Sequence, residues 1–121
     1  MKSRLNGASR NTATHDQYVV AAFGKELTCG TKGALGELAV SSDLMKRGYE
    51  VFRALSPDAA FDLIASKGAM LLRIECRCGT FHAQTGKISF AKTQPRSGRV
   101  LPDHYAVVLS GQIVYEPPLE D

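Results

Sequence analysis

Residues 60–78 read AFDLIASKGAMLLRIECRC, and this stretch decides the fold. Ser66-Lys67-Gly68 is a turn signature between two apolar runs, so the runs read as a hairpin. Ala60 to Ala65 is a short strand interrupted by one acid, Asp62, and Ala69 to Cys78 is the longest strand expected in the chain. Side chains alternate along a strand. Arg73, Glu75 and Arg77 therefore share one face, and Leu72, Ile74, Cys76 and Cys78 share the other. An isolated charge in an apolar strand is expensive unless it is paired or holds a metal. Asp62 and Glu75 fall on neighbouring strands, so their carboxylates are expected to converge.

Toward the N-terminus, the pattern predicts a helix from about Lys32 to Arg47 with Thr31 as its N-cap. Lys46-Arg47-Gly48 is its stop: two cations in the last turn, then a glycine for the left-handed exit. Gly33 and Gly36 weaken the first turns by about 1 kcal/mol each relative to Ala, which predicts close approach of another backbone. At about 3.6 residues per turn, Glu37, Val40, Ser41 and Leu44 form one stripe, away from Asp43, Lys46 and Arg47. An acid on that stripe needs a reason, and the plain one is a salt bridge to Arg53 or Arg73. Tyr49 to Ala54 reads as a strand, and Ser56-Pro57-Asp58 as a turn.

Toward the C-terminus, FHAQTGKISFAK makes a hairpin around Thr85-Gly86, and TQPRSGR is a loop. His104 to Leu109 and Gln112 to Tyr115 form a last hairpin through Ser110-Gly111, and Pro117-Pro118 ends it. The sum is a mixed α+β, or α/β, domain: an N-terminal helix followed by a mixed central sheet. Residues 1–15 read as a flexible polar tail and 16–121 as a single domain. Residues 16–30 hold a short apolar run that fits a strand or a short helix equally well.

The 121 residues are 44% hydrophobic and 22% charged, with a net charge of only +3. No apolar run is long enough to cross a membrane, and the first residues lack a secretory signal, so a cytoplasmic location is expected. The cysteines, Cys29, Cys76 and Cys78, are odd in number, which argues against a disulfide framework. Cys76, Cys78 and His82 match no common zinc spacing, and buried thiols are the simpler reading. Charge is uneven: Lys67, Arg73, Arg77, Lys87, Lys92, Arg96 and Arg99 are accompanied by a single acid, Glu75. A phosphate backbone calls for such a segment, and so does a merely solvated surface. Phe81, His82 and Phe90 read as packing residues rather than base-stacking platforms.

The order of elements is helix with acid, strand, strand with acid, turn, strand with acid-x-cation. This order resembles the PD-(D/E)XK nuclease superfamily. Asp62 and Glu75-Cys76-Arg77 carry the core motif, with Glu37 as the helix acid of Gly36-Glu37-Leu38, and the likeness spans about residues 31 to 116. Its flavour is similar to small Holliday-junction-resolvase-like and intron-homing or phage endonuclease domains.

The resemblance implies a restriction-endonuclease-like core and a Mg2+- or Mn2+-dependent endonuclease that hydrolyses DNA phosphodiester bonds in duplex or branched form. It implies Asp62, Glu75 and the Cys76 backbone carbonyl as metal ligands. Glu37 acts through a bound water or a second ion, and Arg77 stabilises the transition state. Lys87, Lys92, Arg96 and Arg99 then hold the nucleic-acid backbone. Relatives that cut both strands often work as dimers, so a homodimer is expected as well. One position departs from the pattern: the usual lysine is Arg77, which keeps the charge but cannot act as a general base. The alternative is a catalytically inactive nuclease fold that serves as a DNA-binding or protein-interaction module.

Overall fold

The computed structural model describes residues 27–93 and 100–120. The expected tail, the undecided run up to residue 26, and the basic residues Arg96 and Arg99 lie outside the described residues. The order of elements is α1 (Cys29–Lys46), β1 (Glu50–Arg53), β2 (Leu63–Lys67), β3 (Met70–His82), β4 (Lys87–Phe90), β5 (His104–Leu109) and β6 (Gln112–Glu116). None of the described helices is long and apolar enough to cross a membrane.

Helix α1 begins a turn before the expected start. Thr28, not Thr31, is the N-cap, and its Oγ1 accepts the Thr31 N–H at 3.2 Å. The stop is as expected. Gly48 takes φ +96, its N–H donates to the Met45 carbonyl at 3.0 Å, and the Tyr49 N–H donates to the Leu44 carbonyl at 3.0 Å. This is the paired bonding that closes a helix through a left-handed glycine. Gly33 and Gly36 differ from expectation. A Cβ at Gly33 meets nothing within 4 Å, and one at Gly36 meets only the Val108 side chain at 3.7 Å. No backbone comes close to either.

The six strands form one mixed sheet in the order β1-β2-β3-β5-β6, with β4 paired to β3 alone. Strand β3 is its spine. Its first part pairs antiparallel with β2, its middle pairs parallel with β5, and its end pairs antiparallel with β4. That last pairing carries β3 to His82, beyond the expected end at Cys78. Strand β2 starts at Leu63 rather than Ala60, so Asp62 stands just ahead of the strand. Ser66 and Lys67, expected in the turn, belong to β2, and the chain reverses at Gly68 with φ +59.

One sheet face packs under α1. Val40 and Leu44 of the helix meet Leu63, Ala65, Ile74, Ala106 and Val108, with Tyr49 and Tyr115 closing the core. Tyr115 ties the far edge of the sheet to the helix: its hydroxyl donates to Asp43 Oδ2 at 2.6 Å. Burial, and then this bond, push its pKa well above the ordinary tyrosine value. Val107 and Leu109 are also buried, and β3 passes close to them at Gly79. A Cβ there would run into Val107 Cγ1 and lie 3.1 Å from the Ser89 carbonyl oxygen. Backbone on one side and a packed valine on the other leave nothing free to move. Gly79→Ala is therefore expected to lower stability by about 1–3 kcal/mol. Gly33→Ala, in open space within the helix, is expected to raise it by about 0.5–1 kcal/mol. Urea unfolding midpoints of the two variants check both signs.

Candidate active site

Three acids and one arginine, drawn from α1, the start of β2 and the middle of β3, occupy one region. Leu63 pairs with Ile74, so the register sets Asp62 across from Glu75. Past Leu63 the β2 ladder stops, and the Asp62 side chain takes over: its Oδ2 accepts the Cys76 N–H at 2.8 Å. A carboxylate thus satisfies a backbone donor beside the last rung of the ladder.

Glu75 is only 8% exposed. Alternation demands this, because Ile74 and Cys76 on either side turn toward the helix. Its charge is matched by Arg77, whose Nη1 donates to Glu75 Oε2 at 2.5 Å and to the Cys76 carbonyl at 3.2 Å. The rest of the guanidinium reaches the segment after β4. Nε donates to the Ala91 carbonyl at 3.0 Å, and Nη2 donates to Thr93 Oγ1 at 3.3 Å. The Thr93 N–H in turn donates to the Tyr105 hydroxyl at 2.8 Å, and the Tyr105 ring lies 5.3 Å from that of Phe90. Arg77 is therefore fixed at four acceptors.

Glu37 lies on the helix stripe with Val40, Ser41 and Leu44, as its spacing predicts. Of the two arginines offered by the sequence, Arg53 is its partner, at 3.4 Å. Arg73 instead grips Asp103 through two guanidinium bonds of 3.0 and 2.9 Å, and its own backbone N–H adds a third of 2.8 Å. Those bonds hold the Asp103 carboxyl below its ordinary range. Glu37 is shifted the other way. Burial first, then the negative charge of Asp62, push its pKa up; Arg53 opposes them, and Glu75 adds a smaller upward push. The same three acids, after burial, drive the Cys76 thiol well above its ordinary value. A thiol shifted in that direction stays protonated at neutral pH and is a poor nucleophile.

Other expected residues are placed differently. Cys29 and Cys78 are exposed rather than buried. Phe81 and His82 are exposed rather than packed, and His82 Nε2 is bonded to Ser89 Oγ at 2.8 Å. Lys87 opens β4 and is exposed; Lys92, also exposed, stands over the Phe90 ring at 5.4 Å. A concavity of about 740 Å³ is lined by Tyr49, Leu71, Arg73, Asp103 and His104 among others and includes none of the three acids. The Asp103 carboxylate there is already committed to Arg73. Asp62 instead lines a cleft of about 240 Å³ with Phe52, Arg53 and Phe61. Arg53, Asp103, Thr93 and Tyr105 are the members that sequence reasoning missed or left open, and their types alone gave no signal.

The donor set suits a hard divalent cation. Asp62, just ahead of β2, and Glu75 and the Cys76 carbonyl on β3 offer oxygens, and Glu37, raised by burial and then by the charge of Asp62, adds negative charge that a cation would relieve. Among the described residues no three side chains of His, Cys, Asp or Glu form a cluster able to hold a metal ion. Glu37 thus does not join Asp62 and Glu75 in a three-carboxylate cage.

A family model described as PD-(D/E)XK endonuclease matches residues 29–107, from the start of α1 to the middle of β5. Among solved structures the fold is similar to a bacterial homing endonuclease, with a TM-score of 0.57 at 14% identity. That match covers 74% of this chain and 68% of the other. No curated protein matches the sequence.

The Glu37 shift carries a stability consequence. A carboxyl whose folded pKa is raised above 4.5 binds its proton better folded than unfolded, so ionising it costs stability. The cost is complete at neutral pH, fades as pH falls through the raised value, and is gone below the ordinary one. Glu37→Gln is expected to melt at a higher temperature than the parent at pH 7, with the gain shrinking toward pH 4. Thermal melts across that range check the sign.

Proposed function

Because the chain belongs to the PD-(D/E)XK endonuclease family, we propose that it is a divalent-metal-dependent endonuclease acting on DNA. The observation that carries this reading is the Asp62 carboxylate on the Cys76 N–H beside the buried Glu75–Arg77 pair, with Glu37 near enough for the charge of Asp62 to add to the upward push of burial. Acids from a helix and two adjoining strands are held in one field despite its cost, as functional sites do.

Asp62, Glu75 and the Cys76 carbonyl hold the cation, with Mg2+ or Mn2+ matching their oxygen donors. When bound, it supplies Lewis acidity toward the phosphodiester and makes nearby water more acidic. Glu37, its pKa raised by burial and then by Asp62, orients the attacking water and accepts its proton. Arg77 stays cationic throughout and meets charge developing on the phosphoryl oxygens. Lys87 and Lys92, with Arg96 and Arg99, track the backbone phosphates and contribute affinity rather than sequence preference. A second copy of the chain supplies the second cut where both strands are cleaved.

Asp62→Asn and Glu75→Gln keep the shapes and most hydrogen bonds of the site while removing one charge each. Each is expected to lower plasmid or branched-duplex cleavage in Mg2+ or Mn2+ by at least about a hundredfold, the scale of one lost transition-state contact. Circular dichroism is expected to stay native. Cleavage at the parent rate by either variant overturns the assignment. Duplex binding without cleavage in any metal favours the inactive binding module instead. A binding constant that ignores salt counts against the basic residues, since each phosphate contact adds about 0.9 to the slope.

A further inference from the structure

Two of the three donors assigned to the cation are already engaged by Arg77. Its Nη1 donates to both Glu75 Oε2 and the Cys76 carbonyl, at 2.5 and 3.2 Å. The other arms of the fork are moored to the Ala91 carbonyl and Thr93 Oγ1, so the guanidinium is held in place from two sides. Its side chain nevertheless remains 27% exposed, against 11% for Glu75, so a phosphate can reach the arginine.

We propose that Arg77 is a built-in plug of the metal site, displaced by the backbone phosphate of the nucleic acid, so that metal and substrate bind cooperatively. The proposal rests on the metal-dependent reading above. Its physical basis is competition: a guanidinium and a divalent cation cannot hold the same lone pairs of Glu75 and Cys76 together. A backbone phosphate presents two non-bridging oxygens that the planar guanidinium fork binds bidentately. Once Arg77 turns to it, Glu75 is left buried and uncompensated, the state in which a carboxylate binds a cation most strongly. Linkage makes the coupling reciprocal: nucleic acid raises metal affinity by the factor by which metal raises nucleic-acid affinity. Lysine at this position has a compact ammonium and no planar fork, so it cannot span acceptors on β3 and on the segment after β4 together.

The test is calorimetric titration of Mn2+ into the full chain without nucleic acid, for the parent, Arg77→Lys, Arg77→Gln and Glu75→Gln. Arg77→Lys keeps the positive charge and removes the fork, which separates competition for lone pairs from general repulsion of the metal. Both Arg77 variants are expected to bind Mn2+ about tenfold more tightly than the parent, the scale of losing one charge-assisted competitor. Parent affinity is expected to rise by a similar factor in the presence of a phosphorothioate duplex that resists cleavage. A purely structural arginine lowers the melting temperature when replaced and produces no gain in metal affinity. If Arg77→Gln fails to fold, Arg77→Lys carries the comparison, with circular dichroism as the check. Equal Mn2+ affinity in parent and natively folded Arg77 variants, abolished in Glu75→Gln, overturns the plug and leaves the metal site standing. Absence of Mn2+ binding by every natively folded protein, with and without duplex, overturns both.

Discussion

A carboxylate left 8% exposed in the middle of a sheet has to be compensated, and around Glu75 that requirement organises the whole region. Alternation leaves no choice about where Glu75 points, since Ile74 and Cys76 on either side are needed in the core under α1. Of the two arginines on the same strand face, Arg73 is committed to Asp103, which leaves Arg77, two residues on. Once Arg77 is recruited, its remaining donors need acceptors, and the chain after β4 supplies them at Ala91 and Thr93. Thr93 then docks on the Tyr105 hydroxyl, which fixes that segment against β5. One buried charge thus positions a segment some fifteen residues away, as removal of one partner from such a pair, typically costing about 3–5 kcal/mol, implies.

Most of the fold was legible because its punctuation is local. Gly48, Gly68, Gly86 and Gly111 all take positive φ where the sequence predicts a helix stop or a turn. The boundaries that shifted are those where two local solutions compete. Thr28 and Thr31 are equally good caps by type, and the earlier one wins because its hydroxyl receives the N–H of the later one. The start of β2 moved because on the β3 side Asp62 bonds the Cys76 amide with its side chain, although its carbonyl still accepts the Ala54 N–H at 3.1 Å. The end of β3 moved because the first arm of the hairpin expected around Thr85-Gly86 runs on from β3 without a break, paired with β4 from Gly79.

The site divides in the same way. Glu37, Asp62, Glu75 and Arg77 were visible because each is a charge at an apolar position or on a fixed strand face. Their partners were not. Arg53 and Arg73 are equivalent candidates for Glu37 by type, and the parallel pairing of β3 with β5 decides between them by bringing Asp103 beside Arg73. Thr93 and Tyr105 are unremarkable by type and depend on how the chain returns from β4 to β5.

That choice of partners leaves the three acids unequally served. Asp62 has a backbone dipole, Glu75 has a full guanidinium at close range, and Glu37 has only Arg53, at 3.4 Å and with a side chain more than half exposed. An exposed pair of that length contributes little. Among the described residues Arg77 and Arg53 are the cations paired with these three acids, and Glu37, pushed up by burial and then by Asp62, is the acid least well served. The stability given up there is spent on a cluster that repels any anion approaching alone. A phosphate enters such a cluster only together with positive charge, whether from the protein's own arginine or from an added cation. On the proposed metal-dependent reading, the same electrostatics favour metal and substrate arriving as a neutralising pair.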